Sequence, residues 1–98
     1  SGCAGMVVFE GENADGQDCF FIKIRRAAKF SGIDLRTTED KLKSLFGDLY
    51  MGGGGHAGAV SFRVHRMNEK NILEKIETIC DFLNEILIAS SNKPISKP

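Results

Sequence analysis

Apolar positions recur with period two in two stretches of this chain and with period three to four in two others, the first sign of a mixed fold. In CFFIKIRRA, 19–27, an extended backbone puts Phe20, Ile22 and Ile24 on one face and Phe21, Lys23 and Arg25 on the other. AGMVVFEG, 4–11, is a β-branched and aromatic run, and ENADGQD, 12–18, supplies the Asn, Asp and Gly of a turn between paired strands. Together they predict an antiparallel hairpin with a basic outer face. In AVSFRVHR, 59–66, Val60, Phe62 and Val64 alternate with Ser61, Arg63 and His65, a third strand.

The helical period appears twice. TTEDKLKSLFG, 37–47, places Leu42, Leu45, Phe46 and Leu49 on one stripe. Thr37 or Thr38 suits its N-cap, Glu39 and Asp40 suit the positive end of the helix dipole, and Gly47 is a natural stop. KFSGIDLR, 29–36, before it reads as a loop around Ser31 and Gly32. From 67 to 90, Ile72, Leu73, Ile76, Ile79, Cys80, Leu83, Ile86 and Leu87 form a wide apolar stripe, with Asn68 as cap. SNKPISKP, carrying both prolines, reads as a flexible tail over 91–98, leaving 1–90 as a single domain. The expected class is α+β: a small, mostly antiparallel sheet with helices packed on one face, in the order β-β-α-β-α.

Composition narrows the function classes. A chain of 98 residues with 42% apolar and 27% charged residues has enough apolar side chains for one modest core, so wholesale disorder is not expected. Its zero net charge argues against a purely electrostatic binder of nucleic acid or membrane. No apolar run approaches the roughly 20 residues that span a bilayer, and SGCAGMVVFEG lacks the basic and apolar regions of a secretory signal. Cys3, Cys19 and Cys80 are odd in number and widely spaced, which favours packing roles and a reducing, cytoplasmic location over a disulfide scheme. Cys80, on the helix stripe, is expected in the core.

The chemistry gathers around MGGGGHAGAVSF, 51–62. Gly53, Gly55 and Gly58 formally satisfy the dinucleotide fingerprint, but a helix precedes them and a strand follows, the reverse of what that motif needs. A P-loop fails as well, because no Lys-Ser or Lys-Thr pair follows the glycines. What remains is generic: a run without side chains admits a ligand close to the backbone, successive N–H groups can cradle an anion, and His56 can donate to a phosphate oxygen. Lys23, Arg25, Arg26, Lys29, Arg63, His65 and Arg66 gather on the second and third strands, where a solvated sheet face competes with an anion-binding one. Phe21 on that face is a candidate for stacking on a base. Glu10, Glu12, Asp15 and Asp18 cluster at a turn and read as a solvated hairpin tip rather than a cation site.

GGGGHAGAVSF resembles the Gly-Gly-Gly-His signature of the DHHA1 domain, the C-terminal substrate-binding domain of DHH-family phosphoesterases. The surrounding order over 4–66, a hairpin, a linking helix, the glycines and a strand, resembles that domain too. IKIRR, 22–26, matches the family's hydrophobic-Ser-x-Arg-Ser segment at Arg25, while Lys23 and Arg26 stand where the serines would be. In the small-residue segment after the histidine, Ala59 matches at best and Val60 and Ser61 depart. The resemblance implies that Gly53, Gly54, Gly55, His56 and Arg25 grip the phosphate end of a nucleotide or short single-stranded oligonucleotide. Gly52, Arg26, Lys23 and Arg63 are further candidate contacts. It also implies that hydrolysis belongs to a separate N-terminal DHH domain of the same parent protein, holding divalent metal, usually manganese. No Asp-His-His occurs in this chain, so it is expected to bind no metal and, alone, to hydrolyse nothing. A free-standing nucleotide-binding regulatory domain and an oligomerisation domain, forming a homodimer, are the alternatives.

Overall fold

A computed structural model describes residues 4–30 and 32–91, with the side chains of Ala4, Lys29 and 87–91 outside that description. The expectations for Cys3, Ser31, the 92–98 part of the tail, and the side chains of Lys29 and Leu87 lie outside the described residues. Four strands form one antiparallel sheet: β1 (Ala4–Glu12), β2 (Asp18–Arg26), β3 (Tyr50–His56) and β4 (Ala59–His65), in the spatial order β1-β2-β4-β3. Two helices, α1 (Thr38–Phe46) and α2 (Glu69–Ser91), complete an α+β fold. No described helix is long and apolar enough to cross a membrane.

The first hairpin turns as its residues dictate. The Asn13 side-chain carbonyl accepts from the N–H groups of Asp15 and Gln17, and Gly16 takes φ +79°. The strand faces follow the alternation. Phe20, Ile22 and Ile24 of β2 and Val60, Phe62 and Val64 of β4 are buried, and they share one core with Leu42 and Phe46 of α1 and Ile72, Ile79 and Leu83 of α2. Asn68 caps α2, its side-chain oxygen accepting from the Asn71 N–H at 2.8 Å.

Five expectations need correction. The glycine run is a strand rather than a loop, so the order is β-β-α-β-β-α. A strand of glycines carries no side-chain alternation to read; its evidence is the partner strand, with Gly53, Gly54 and Gly55 opposite Phe62, Ser61 and Val60. The 29–36 segment is two short 3₁₀ turns, 28–30 and 35–37, and it sends Ile33 and Leu35 into the core. Leu49 falls in a further 3₁₀ turn after α1, where it still packs against the core. Thr37 stands at the N-cap of α1 as expected, but without a side-chain capping bond: the Thr37 and Thr38 hydroxyls donate to the carbonyls of Asp34 and Leu35, while Asp34 caps the preceding turn through the Arg36 N–H. Finally, Cys80 and Leu73 of α2 are exposed, because only the narrower row through Ile72, Ile76, Ile79, Leu83 and Ile86 meets the rest of the protein.

Candidate functional site

Helices cover one face of the sheet, and register defines the other. Residues opposite each other in antiparallel strands project to the same side. His56, Ala59, Arg25 and Gly5 form one outward row, and Gly54, Ser61, Lys23 and Val7 the next. Gly52, Arg63, Phe21 and Phe9 form the third. The basic residues expected on an outer face are therefore brought together there. A basin of ≈ 560 Å³ opens in this face, lined by Gly5 and Val7, Lys23 and Arg25, Gly54 and Gly55, and Ala59 and Ser61, with Ile24 and Val60 below. Its lining includes no acidic side chain. Among the described residues Lys23, Arg25 and Arg63 take part in no ion pair.

The glycines have separable reasons. Gly52 has φ +122° at the register shift where the strand enters its pairing with β4. A Cβ on Gly53 would run into the Ser61 carbonyl oxygen and lie 2.7 Å from the Phe62 ring. A Cβ on Gly55 would run into the Ala59 carbonyl oxygen, and Gly55 also sits at φ +150°. These three are fixed by how β3 meets β4. Gly54 is different: its φ is not positive and a Cβ there would meet nothing within 4 Å. The same holds for Gly5 across the basin. Neither strain nor crowding asks for glycine at these two positions, and both line the basin.

The remaining candidates are placed around it. His56 is exposed at the end of β3, and its Nδ1 accepts from the Gly58 N–H at 3.1 Å. That bond leaves Nε2 as the N–H donor of the neutral ring. Arg63 is half-buried beside Gly52, its Nη2 3.4 Å from where a Gly52 Cβ would stand. Gly53 faces the core side of the sheet, opposite Phe62. The run does not form a nest of consecutive N–H groups, because successive N–H groups of an extended strand point to opposite edges.

Arg26 works behind the site. Its Nη1 donates to the Ile33 carbonyl and, at 3.2 Å, to that of Ala57, while the Leu35 N–H donates to the same Ala57 oxygen at 2.8 Å. The guanidinium thus ties the 33–35 segment to the Ala57-Gly58 turn that carries His56. Glu39 of α1 supports β3 from the other side by accepting from the Tyr50 hydroxyl at 2.8 Å. Arg66 lies apart from the basin, paired with Glu10 at 3.4 Å and placed over the Phe20 ring. Among the described residues no three His, Cys, Asp or Glu side chains assemble into a metal site.

Sequence reasoning missed the parts of the basin that are defined by absence. Gly5, Ala59 and Ser61 are unremarkable singly and lie on two different strands, so only the register reveals them as one floor. It also missed Phe9, whose ring stacks on Phe21 with centroids 5.1 Å apart and which is 41% exposed. Comparison with protein-family models, with curated proteins and with solved structures gives no match for this chain.

Proposed function

We propose that this chain is a substrate-binding domain of the DHHA1 type, which holds the phosphate end of a nucleotide or short single-stranded oligonucleotide for a DHH-family phosphoesterase. The observation that carries the reading is Gly54, an absent side chain without a backbone or packing reason, opening onto a basin flanked by Lys23 and Arg25. A phosphate seated there approaches bare backbone, and two unpaired cations supply the charge-assisted contacts that phosphate oxygens favour. Arg25 offers a planar fork and Lys23 a mobile point charge. His56, its ring held by the Gly58 N–H, presents Nε2–H at the end of the same row. Arg26 is a positioning residue in this scheme, since its guanidinium is engaged with the carbonyls of Ile33 and Ala57.

The hydrolytic step belongs to a separate DHH domain, whose divalent metals would supply the activated water. The present chain contributes binding and orientation. Calorimetric titration with adenosine 5′-monophosphate and with adenosine tests the reading directly. Binding of the phosphorylated form alone, lost in Gly54→Val, is the expected result; equal binding of both, or an unaffected Gly54→Val variant, refutes it.

Exposed Val7 and Phe9, 59% and 41% accessible on the same sheet face, favour a second reading in which this face joins two copies of the chain. Sedimentation equilibrium separates the two, because self-association abolished by Val7→Thr with phosphate binding unchanged would favour the interface.

A further inference from the structure

The two edges of the sheet are unlike each other. β3, at one edge, carries a register shift between Tyr50 and Gly52, the kind of irregularity that keeps an edge from accepting another strand. β1, at the other edge, has nine residues in unbroken register with β2 and no proline, lysine or bulge. Among the described residues β2 is the only strand it pairs with. The direction of its backbone bonds follows from both ends of the hairpin. At the turn the Asn13 N–H donates to the Gln17 carbonyl at 2.9 Å, and at the end of β2 the Arg26 N–H donates to the Gly58 carbonyl at 3.1 Å, towards β4. Antiparallel bonding alternates along a strand. The odd-numbered residues of β1 therefore bond to β2, while Met6, Val8 and Glu10 turn their N–H and C=O groups to the open edge. The exposed apolar side chains of Val7 and Phe9 stand on this same strand.

A second copy of the chain fits this edge, and symmetry sets the register. A two-fold axis perpendicular to the sheet pairs β1 antiparallel with β1 of the second copy, and all nine residues overlap only when the axis passes beside Val8. Val8 then faces Val8, Met6 faces Glu10 and Ala4 faces Glu12. These are the residues whose backbone groups point to the open edge, so the donors and acceptors of the two copies meet in matching order. No two glutamates face each other, whereas an axis beside Glu10 would oppose like charges. On the outer face Val7 meets Phe9 of the second copy in a non-hydrogen-bonded pair, where side chains come closest. With Phe21 stacked on Phe9, the exposed apolar residues of both copies join into one ridge. Charge is complementary as well. The β1–β2 hairpin is acidic towards its turn, with Glu10, Glu12, Asp15 and Asp18, and basic towards its open end, with Lys23, Arg25 and Arg26. Antiparallel pairing sets the acidic end of each copy beside the basic end of the other. We infer that the chain forms a two-fold dimer through β1, which joins two four-stranded sheets into one. Both basins stay open on the same face of that sheet, whatever fills them.

Sedimentation equilibrium of the 98-residue chain, combined with amide hydrogen exchange read residue by residue, tests this. A dimer is expected to form in the sub-millimolar range. Once most of the chain is dimeric, exchange that proceeds only through the monomer slows about tenfold at Met6, Val8 and Glu10. Val7 and Phe9, bonded to β2 in either state, are protected in both. Glu10→Pro removes an edge N–H without breaking a bond to β2, and the loss of two symmetry-related hydrogen bonds is expected to weaken association about tenfold or more. Protected Val7 and Phe9 amides show that this variant is folded. Glu10→Gln, which loses the Arg66 ion pair but keeps the N–H, is expected to retain the dimer. A chain that stays monomeric throughout the sub-millimolar range overturns the inference. So does a dimer whose Met6, Val8 and Glu10 amides exchange as fast as in dilute solution. A dimer that survives Glu10→Pro and is lost in Val7→Thr joins faces rather than edges, and overturns it too. Where Glu10→Pro does not fold, the exchange pattern of the parent chain decides alone.

Discussion

Alanine at each of Gly53, Gly54 and Gly55 separates glycines kept for the fold from the glycine kept for a ligand. At Gly55 the new Cβ meets the Ala59 carbonyl oxygen, lies 2.7 Å from Val60 Cα, and is attached to a backbone at φ +150°. Strain at a positive φ costs about 1–3 kcal/mol and overpacking about 1–3 kcal/mol, so Gly55→Ala is expected to lose about 2–6 kcal/mol. That is a large share of the roughly 5–15 kcal/mol that holds a domain folded. Gly53→Ala has crowding without positive φ, and about 1–3 kcal/mol follows. At Gly54 there is no contact within 4 Å, and removing glycine's freedom from the unfolded chain stabilises by up to about 1 kcal/mol. Urea unfolding of the three variants, with matched slopes, gives the order directly. Nucleotide binding should follow a different order, with a bulkier Gly54→Val folded as well as the parent and impaired in binding. A Gly54→Ala variant destabilised as much as Gly55→Ala would refute the reasoning, because the two positions would then share one structural cause.

Further expectations rest on other parts of the molecule. Asp34 accepts from the Arg36 guanidinium and backbone N–H, which hold its carboxyl at about 2 against an ordinary 3.8. A depressed carboxyl contributes stability that is complete above about pH 4 and lost as pH falls towards 2, so Asp34→Asn should flatten the acid limb of a thermal-melt series over that window. Tyr50 is the single tyrosine, and burial, reinforced by its bond to Glu39, raises its pKa above the ordinary 10. Its stabilising effect is present below pH 10 and lost above it, and ultraviolet titration of Glu39→Gln should show phenolate forming at lower pH than in the parent. Arg26→Met should loosen the turn that carries His56, seen as faster amide hydrogen exchange at Leu35, whose N–H donates to Ala57; unchanged exchange would remove Arg26 from its positioning role. In a Cys3→Ser background a thiol reagent should modify exposed Cys80 at once and fully buried Cys19 only on unfolding.

What was legible in the sequence was whatever side-chain alternation encodes. The β2 and β4 faces, the Asn13 turn and the Asn68 cap each announce themselves through residue types whose physics is local. β3 did not, since a glycine strand is defined by the β4 backbone it lies against and by the side chains it lacks. Ile33 and Leu35 were hidden by turns too short to show a period, although they are core residues tied to the Ala57 turn. Cys80 and Leu73 were misplaced because a helix stripe gives the apolar width of a helix, while tertiary contact decides how much of that width is covered. The positive face was readable from Lys23, Arg25 and Arg63, but the basin was not, because its floor is assembled from Gly5, Gly54, Ala59 and Ser61 by register.

The central claim is that a phosphate sits over Gly54 between Lys23 and Arg25. The most direct test is a heteronuclear NMR titration of the metal-free chain with a 5′-phosphorylated dinucleotide. The account predicts saturable amide shifts concentrated at Gly54, Gly55, His56, Lys23 and Arg25, with α2 unaffected. Shifts absent at millimolar ligand, or centred on α2 and the far side of the sheet, would contradict it.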